Sequence, residues 1–131
     1  MPRTEGIGGR RVVKLVFCCR RRPELTREEF QKYWLDEHGP LVRSLREALP
    51  QMRRYVQSHT LDTPANDAVQ ASRGTADAFD GITEVWFDSL DAMGSTTEDA
   101  ATAGRRLLED ESTFIDFANS SVFLTVEHDI F

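Results

Sequence analysis

The chain has 131 residues, which is enough for one domain with a substantial hydrophobic core and too few for two. Acidic residues exceed basic ones, 22 to 16, and the formal charge of −6 argues against a nucleic-acid partner. No apolar run is long enough to cross a bilayer and the first residues lack the apolar segment of a signal peptide, so we expect a cytoplasmic protein with no membrane contact.

The N-terminal residues predict a flexible tail followed by a strand. Residues 1–11 are rich in Gly and Arg and have no periodicity, so we assign them to a tail and residues 12–131 to a single domain. Residues 12–19 form an apolar, β-branched run of strand length. Cys18 and Cys19 at its end would point to opposite faces of the strand, so we expect no disulfide between them.

A helix is predicted to follow from Thr26. Thr26 and Glu29 have the spacing of a capping box. Apolar residues then recur at the three-to-four spacing of a buried helix face: Phe30, Trp34, Leu41, Leu45 and Leu49. Proline disfavours the helical conformation in the residue before it but suits the first position of a helix. We therefore expect one helix to end near His38 and a second to begin at Pro40.

The rest of the chain predicts three further strands and one helical region. The second and third strands are expected at residues 51–61 and 82–87, the helical region at 90–108, and the fourth strand at 121–128. The intervening residues 62–80 are small and polar and have no regular pattern. A connection of this kind is expected to be a lid or a disordered loop.

The resulting βαββαβ order is typical of an α+β fold, the ferredoxin-like sandwich, in which a four-stranded antiparallel sheet carries two helices on one face. The predicted first strand is almost wholly apolar and the fourth has apolar residues on both faces, whereas a solvated sheet face would alternate. We therefore expect both faces of the sheet to be covered, one by the chain's own helices and one by a second copy in a symmetric homodimer.

The first helical region contains a specific pattern, Thr-x-x-x-Phe-x-x-x-Trp-x-x-x-His-x-Pro-Leu. Its residues here are Thr26, Phe30, Trp34, His38, Pro40 and Leu41. Together with Tyr55 and His59 in the second strand and residues 80–88 around the third, this pattern resembles the EthD family of the dimeric α+β barrel superfamily. The resemblance implies a ferredoxin-like protomer that pairs with a second copy into a dimeric α+β barrel.

The resemblance also implies a range of chemistries. The namesake of the family is associated with bacterial ether degradation beside an oxidising system, and the domain is often labelled an oxidoreductase. Relatives in the superfamily include isomerases, polyketide cyclases, and decarboxylases or dehydratases of aromatic polyketides. Most of these need neither a metal nor an organic cofactor and use a histidine or tyrosine as acid or base in a pocket between sheet and helices. More distant members bind haem.

Two histidines and a tyrosine are the candidate catalytic residues. An imidazole titrates near neutral pH, so His38 is a candidate general acid or base; the alternative is a structural residue that bonds a backbone carbonyl at the helix end. His59 shares a strand face with Tyr55 and Gln57, and beneath the helices that row would line an apolar pocket with a few polar groups. In the reversed register the same face would lie at the dimer interface.

Four residues are predicted to contact a substrate: Tyr33, Trp34, Gln57 and Trp86. Tyr33 and Trp86 are also compatible with positions in the core or an interface. Glu84 lies on the same face of the third strand as Trp86, and we expect it to pair with Arg54 or Lys14; the alternative is a role in the pocket.

Three functions compete on this basis. The first is a cofactor-independent acid–base enzyme of isomerase, cyclase or lyase type, acting on a small hydrophobic, aromatic or lactone-like compound, with His59 and His38 exchanging protons and Tyr55 polarising a carbonyl. The second is an oxidoreductase or an accessory protein of an oxidative degradation system, for which haem is the alternative cofactor because one histidine can hold it. The third is a non-catalytic dimeric protein that binds a small hydrophobic ligand. No residue is assigned to a metal or to a cofactor.

Overall fold

The computed structural model describes residues 11–94 and 96–131, so the predicted tail, residues 1–11, lies outside the described residues except for Arg11. The four strands are β1 (Val13–Cys19), β2 (Met52–His59), β3 (Gly81–Phe87) and β4 (Ser121–Thr125). They form one antiparallel sheet in the order β2-β3-β1-β4. The predicted α+β fold of ferredoxin-like topology is therefore confirmed, although β4 ends earlier than expected.

One face of the sheet carries a helical segment made of three parts. Helix α1 (Arg27–Tyr33) continues into a π-helical turn (Trp34–His38) and then into helix α2 (Gly39–Ser44). The Thr26 side chain accepts a hydrogen bond from the Glu29 N–H, and the Glu29 side chain accepts one from the Thr26 N–H. This reciprocal pair is the capping box that the sequence predicted.

The break expected between His38 and Pro40 does not occur, and the prediction of two separate helices was wrong. Gly39 keeps helical angles, φ −55° and ψ −51°. Glycine has no Cβ to clash with the following proline ring, so Pro40 does not force it out of the helix. In the π turn the Gly39 N–H bonds to the Trp34 carbonyl, so the α-helical hydrogen-bond pattern is already interrupted there. Pro40, which has no N–H to donate, follows directly after this interruption.

Helix α3 (Pro64–Arg73) occupies much of the segment that was expected to be irregular, so that expectation was also wrong. Thr63 caps the helix by accepting from the Ala65 N–H, and Gly74 ends it in the left-handed conformation at φ 64°. None of its residues is buried. Its apolar residues Ala65, Ala68 and Val69 recur at helical spacing, but they are few and mostly small, so the pattern is weak in a mainly polar segment.

The second helical layer consists of α4 (Leu90–Gly94) and α5 (Glu98–Glu111), so α5 reaches beyond the expected end at residue 108. Three core clusters join the helices to the sheet. Their buried residues are Cys19, Phe30, Trp34, Phe114 and Ile115 in the first; Val42, Leu49, Ala100, Ala103 and Leu107 in the second; and Val13, Val85 and Phe87 in the third.

The opposite face of the sheet, which we call the outer face, carries a network of charged side chains around Trp86. Lys14 Nζ lies 2.8 Å from Glu84 and 3.3 Å from Glu127. The Trp86 indole donates to Glu127 at 2.9 Å, and the Arg54 guanidinium lies over the Trp86 ring. Glu84 therefore pairs with Lys14, one of the two partners expected from the sequence.

Asp80 fixes the connection between β1 and α1. Its fully buried carboxylate accepts hydrogen bonds from the Arg21 N–H at 2.8 Å, the Arg21 guanidinium at 2.8 Å and the Arg27 guanidinium at 2.9 Å. Burial alone would raise the pKa of Asp80, but these hydrogen bonds and charges lower it below its ordinary value. The first turn of α1 is thereby tied to the start of β3.

Gly81 allows Trp34 to pack directly on the backbone of β3. A Cβ at Gly81 would overlap the Trp34 ring and lie 2.7 Å from the Ser58 carbonyl oxygen. Trp34 itself is fully buried. The absence of a side chain at Gly81 therefore sets how closely the π turn approaches the sheet.

Gly81→Ala is expected to lower the free energy of unfolding by roughly 1–3 kcal/mol, because the added methyl group forces Trp34 or β3 to move. Gly104→Ala is the matched control, since no atom lies within 4 Å of a Cβ there, and in the middle of α5 it should be stabilising by about 0.5–1 kcal/mol. Chemical denaturation of both variants measures the difference. Unchanged stability of Gly81→Ala would show that Trp34 is not held against the strand.

Candidate active site

A cavity of about 450 Å³ lies between the sheet and the helices, with the π turn forming part of its wall. Most of the wall is apolar and comes from both layers, including Leu15, Phe17, Val85, Phe87, Trp34 and Leu107. Six lining residues carry titratable or hydroxyl groups: His38, Tyr55, Thr83, Glu111, Ser120 and Ser121. An apolar cavity with a few convergent polar groups is the usual form of a small-molecule site.

His38 is held between two carboxylates of α5. Only 1% of the residue is exposed. Its Nδ1 lies 2.7 Å from Asp110 Oδ2, and its Nε2 lies 3.8 Å from Glu111 Oε2. An imidazole whose Nδ1–H donates to a carboxylate keeps Nε2 as an acceptor. His38 can therefore present a basic nitrogen beside Glu111 in the cavity wall.

Asp110 positions two side chains of the first helical segment at once. The Tyr33 hydroxyl donates to Asp110 Oδ1 at 2.5 Å, while Oδ2 is the oxygen that faces His38. The hydrogen bond to Asp110 is the main reason that the pKa of Tyr33 is raised. Tyr33 is not among the residues that line the cavity, so it acts on the cavity through the carboxylate that it orients.

Glu111 and His38 both have pKa values shifted toward the uncharged form. Burial raises the pKa of Glu111 to about 7, and the neighbouring charge of Asp110 adds to the effect. Burial lowers the pKa of His38, although the hydrogen bond to Asp110 opposes that change. A carboxyl group that gains and loses its proton near neutral pH is suited to acid–base catalysis.

Tyr55 lies close enough to Glu111 to be influenced by its charge. Burial raises the pKa of Tyr55 to about 12, with a further contribution from Glu111, so the phenol remains a hydrogen-bond donor. Burial likewise raises the pKa of the Cys19 thiol to about 12. Cys19 is therefore a packing residue and not a nucleophile.

The row of Tyr55, Gln57 and His59 lies on the helix-facing side of β2, but only Tyr55 lines the cavity. The His59 ring stacks on Trp34, with centroids 4.6 Å apart and planes 8° apart. His59 Nε2 lies 2.8 Å from Gln57 Oε1, and Gln57 donates to the Trp34 carbonyl at 2.9 Å. In this position His59 and Gln57 contact Trp34 and do not line the cavity.

The structure therefore brings three of the residues proposed from the sequence to the cavity wall: His38, Tyr55 and Trp34. Tyr33 reaches the site through Asp110, whereas Gln57 and His59 contact Trp34. Trp86 lies on the outer face of the sheet, across from the cavity, where it contacts Arg54 and Glu127.

Sequence reasoning missed Asp110 and Glu111. One feature of the sequence did point to them: Glu109, Asp110 and Glu111 are three acidic residues in a row at the C-terminal end of a helix. Acidic groups there oppose the helix dipole, so their presence needs another reason. Contact with His38 supplies that reason for Asp110 and Glu111.

A second and larger cleft, of about 810 Å³, is lined mainly by polar residues near α3. Three arginines reach it, but each is engaged: Arg21 and Arg27 bind Asp80, and Arg20 donates to the Ala78 carbonyl at 2.8 Å. These contacts hold loops together. The smaller cavity that contains His38 is therefore the candidate active site.

Within residues 11–94 and 96–131, no group of three or more His, Cys, Asp or Glu side chains is arranged to hold a metal ion. No helix in the same part of the chain is both long and apolar enough to cross a membrane.

Comparison with solved structures identifies similar folds. An EthD family protein from Bacillus halodurans has a TM-score of 0.58 at 18% identity, covering 89% of this chain and 99% of that one. A dimeric ferredoxin-like protein of unknown function from Thermobifida fusca has a TM-score of 0.59 at 12% identity, covering 92% of each chain. A hydroxynitrile lyase from Passiflora edulis has a TM-score of 0.57 at 15% identity, covering 92% of this chain and 97% of that one.

At these identities the structural likeness establishes the fold alone. No curated protein sequence is significantly similar to this chain. The EthD domain, however, matches residues 22–118, a span that contains the Thr26 to Leu41 pattern, the cavity-lining part of β2 and all of α5. The chain therefore belongs to the EthD domain family.

Proposed function

We propose that this protein is an acid–base enzyme of lyase or isomerase type that moves a proton on a small hydrophobic compound held in the cavity. The observation that carries the proposal is His38, a buried imidazole whose Nδ1 contacts Asp110 and whose Nε2 lies beside Glu111. A fixed imidazole next to a second proton-exchanging group is the minimum that such chemistry requires. The reaction needs no metal or organic cofactor for this step.

The proposed roles follow from the protonation states. With Nδ1–H donated to Asp110, His38 Nε2 is the base that removes a proton from a hydroxyl group or from a carbon next to a carbonyl. Glu111, whose pKa is about 7, then returns a proton to the developing anion or leaving group. Asp110 stabilises the imidazolium formed in the first step, as a carboxylate beside a catalytic histidine does elsewhere.

Tyr55 is the proposed electrophilic partner. Its phenol stays protonated because its pKa is about 12, so it can donate a hydrogen bond to a substrate oxygen throughout the reaction. A donor held in a mainly apolar cavity stabilises developing negative charge more strongly than one in water. The hydroxynitrile lyase of Passiflora edulis supports the proposal of a lyase activity, because that enzyme has a similar fold.

We also propose that two copies of the chain pair through the outer face of the sheet. The structural neighbour from Thermobifida fusca is dimeric. On this chain the outer face exposes apolar side chains, with Phe123 47% and Ile82 36% exposed. Covering them with a second sheet would remove an exposed apolar surface of the kind that marks an interface.

Phe123→Asp tests the dimer, because it places a charge on the outer face. The variant is expected to sediment as a monomer at concentrations where the wild type is a dimer. Val122→Asp is the matched control, since Val122 is 57% exposed and its neighbour on β1 is Phe17, on the helix-facing side. Dissociation by both variants, or by neither, would contradict pairing through the outer face.

His38→Gln and Glu111→Gln test the catalytic roles. Cleavage of an aromatic cyanohydrin, and exchange of the α-hydrogen of a small aromatic ketone in D₂O, are the two probe reactions. Each substitution keeps the size of the polar group and is expected to slow turnover by about 10²-fold or more, the usual worth of a general acid or base. Glu109→Gln, an exposed neighbour on α5, should retain wild-type turnover. Full activity of His38→Gln would refute the proposed mechanism.

The raised pKa of Glu111 also predicts a pH dependence of stability. Between the ordinary value of 4.5 and the folded value of about 7, the folded protein binds a proton that the unfolded chain does not. The free energy of unfolding should therefore fall as the pH rises through this window, and Glu111→Gln should lack this fall. Between about pH 5 and about pH 8, the free energy of unfolding of the variant should rise by roughly 3 kcal/mol at most relative to that of the wild type.

Urea denaturation of both proteins across this pH range measures the effect. Glu109→Gln again serves as the control, and its difference from the wild type should stay constant. A constant difference for Glu111→Gln as well would show that Glu111 has an ordinary pKa.

A further inference from the structure

Among the described residues, the cavity wall holds one carboxylic acid, Glu111, and no lysine or arginine. Asp110 lies behind His38, so a second carboxylate faces the same region. Both residues lie in the last turn of α5, where the helix dipole is negative. The electrostatic potential inside the cavity is therefore unfavourable to anions.

His38 is the one described lining residue that can carry a positive charge. Its Nδ1 already faces Asp110 at 2.7 Å, so a proton on the ring is balanced by that carboxylate and leaves no net positive charge for a ligand. Burial also lowers the pKa of His38. A ligand carboxylate would thus lose its hydration without gaining a counter-ion, which is costly in an apolar cavity.

A neutral oxygen, in contrast, finds suitable donors. Tyr55 and Thr83 line the cavity with hydroxyl groups, as do Ser120 and Ser121 around the start of β4, and Glu111 adds a further donor when it is protonated. Their surroundings include the apolar walls formed by Phe17, Val85 and Phe87. The volume of about 450 Å³ lies in the range of small-molecule pockets.

We infer that the cavity selects uncharged compounds with an aromatic-sized apolar body and a carbonyl, hydroxyl or amide oxygen, and that it rejects carboxylates of the same shape. This inference deepens the proposed function and rests on it in taking the cavity as the substrate site. It assigns specificity to Asp110 and Glu111, whose charges oppose an anionic substrate.

Benzamide and benzoate provide a matched pair of probes, because they have nearly the same shape and differ in charge. Binding is measured by titration calorimetry at about pH 8, where Glu111 is largely ionised. Benzamide is expected to bind roughly tenfold more tightly than benzoate or better, because only benzoate must be stripped of a charged group's hydration. Glu111→Gln should lower the ratio of the benzoate dissociation constant to the benzamide dissociation constant, whereas Glu109→Gln should leave it unchanged.

The two tryptophans report where the probe binds. Trp34 lines the cavity and Trp86 lies on the outer face of the sheet, so benzamide should shift the indole N–H resonance of Trp34 and leave that of Trp86 in place. Trp86→Phe assigns the two resonances. Benzoate binding as tight as that of benzamide, no binding of either probe, or a shift confined to Trp86 would each overturn the inference.

The binding measurement is independent of turnover. Selective benzamide binding by a protein that is inactive on the cyanohydrin and ketone probes would support the selectivity and remove the proposed catalysis. Turnover of those probes by a protein that binds benzoate more tightly than benzamide would support the proposed catalysis and contradict the selectivity.

Discussion

The contact of His38 with α5 is the constraint on which the rest of the site depends. A buried imidazole needs a hydrogen-bond partner, and Asp110 supplies it from the end of a different helix, while Glu111 lies 3.8 Å from the other ring nitrogen. This contact fixes the C-terminal end of α5 against the π turn and so sets the height of the cavity roof. Tyr33 bonds the same Asp110 carboxylate, which ties a second point of α1 to α5. Replacing Asp110 would leave the buried Nδ1 of His38 without its hydrogen-bond partner.

The floor of the cavity is fixed by a second set of contacts, centred on the start of β3. Asp80 binds Arg21 and Arg27 and thereby anchors α1, while Gly81 allows Trp34 to lie directly on the strand. His59 then stacks on the Trp34 ring. The residues proposed from the sequence as site residues thus divide into two groups: some hold the scaffold together, and others line the cavity.

The sequence predicts the fold well because its signals are local. The capping box at Thr26 and the apolar run of β1 each lie within a few residues, and the structure confirms the helix start and the strand that they predict. The partners of His38 could not be predicted in this way, since Asp110 is 72 positions away and only the packing of α5 brings it close. Helix α3 escaped prediction for another reason: its apolar residues are few and mostly alanine, so the helical pattern is weak beside the capping signals of Thr63 and Gly74. The sequence also placed Tyr55, Gln57 and His59 on one face of β2. It could not show that Trp34 would occupy the space beside His59 and Gln57 and leave only Tyr55 to line the cavity.

The protonation of the His38 and Glu111 pair is the most direct test of the central claim, that the cavity holds a proton-exchanging pair at neutral pH. NMR titration of the Glu111 side-chain carboxyl carbon and the His38 ring nitrogens measures it, with Glu111→Gln to assign the carboxyl resonance. We expect Glu111 to titrate near pH 7 and His38 to remain neutral below its ordinary pKa of 6.5, with its proton on Nδ1. A Glu111 carboxyl that titrates near 4.5, beside a His38 that stays protonated above pH 7, would show an ordinary ion pair and contradict the proposed chemistry.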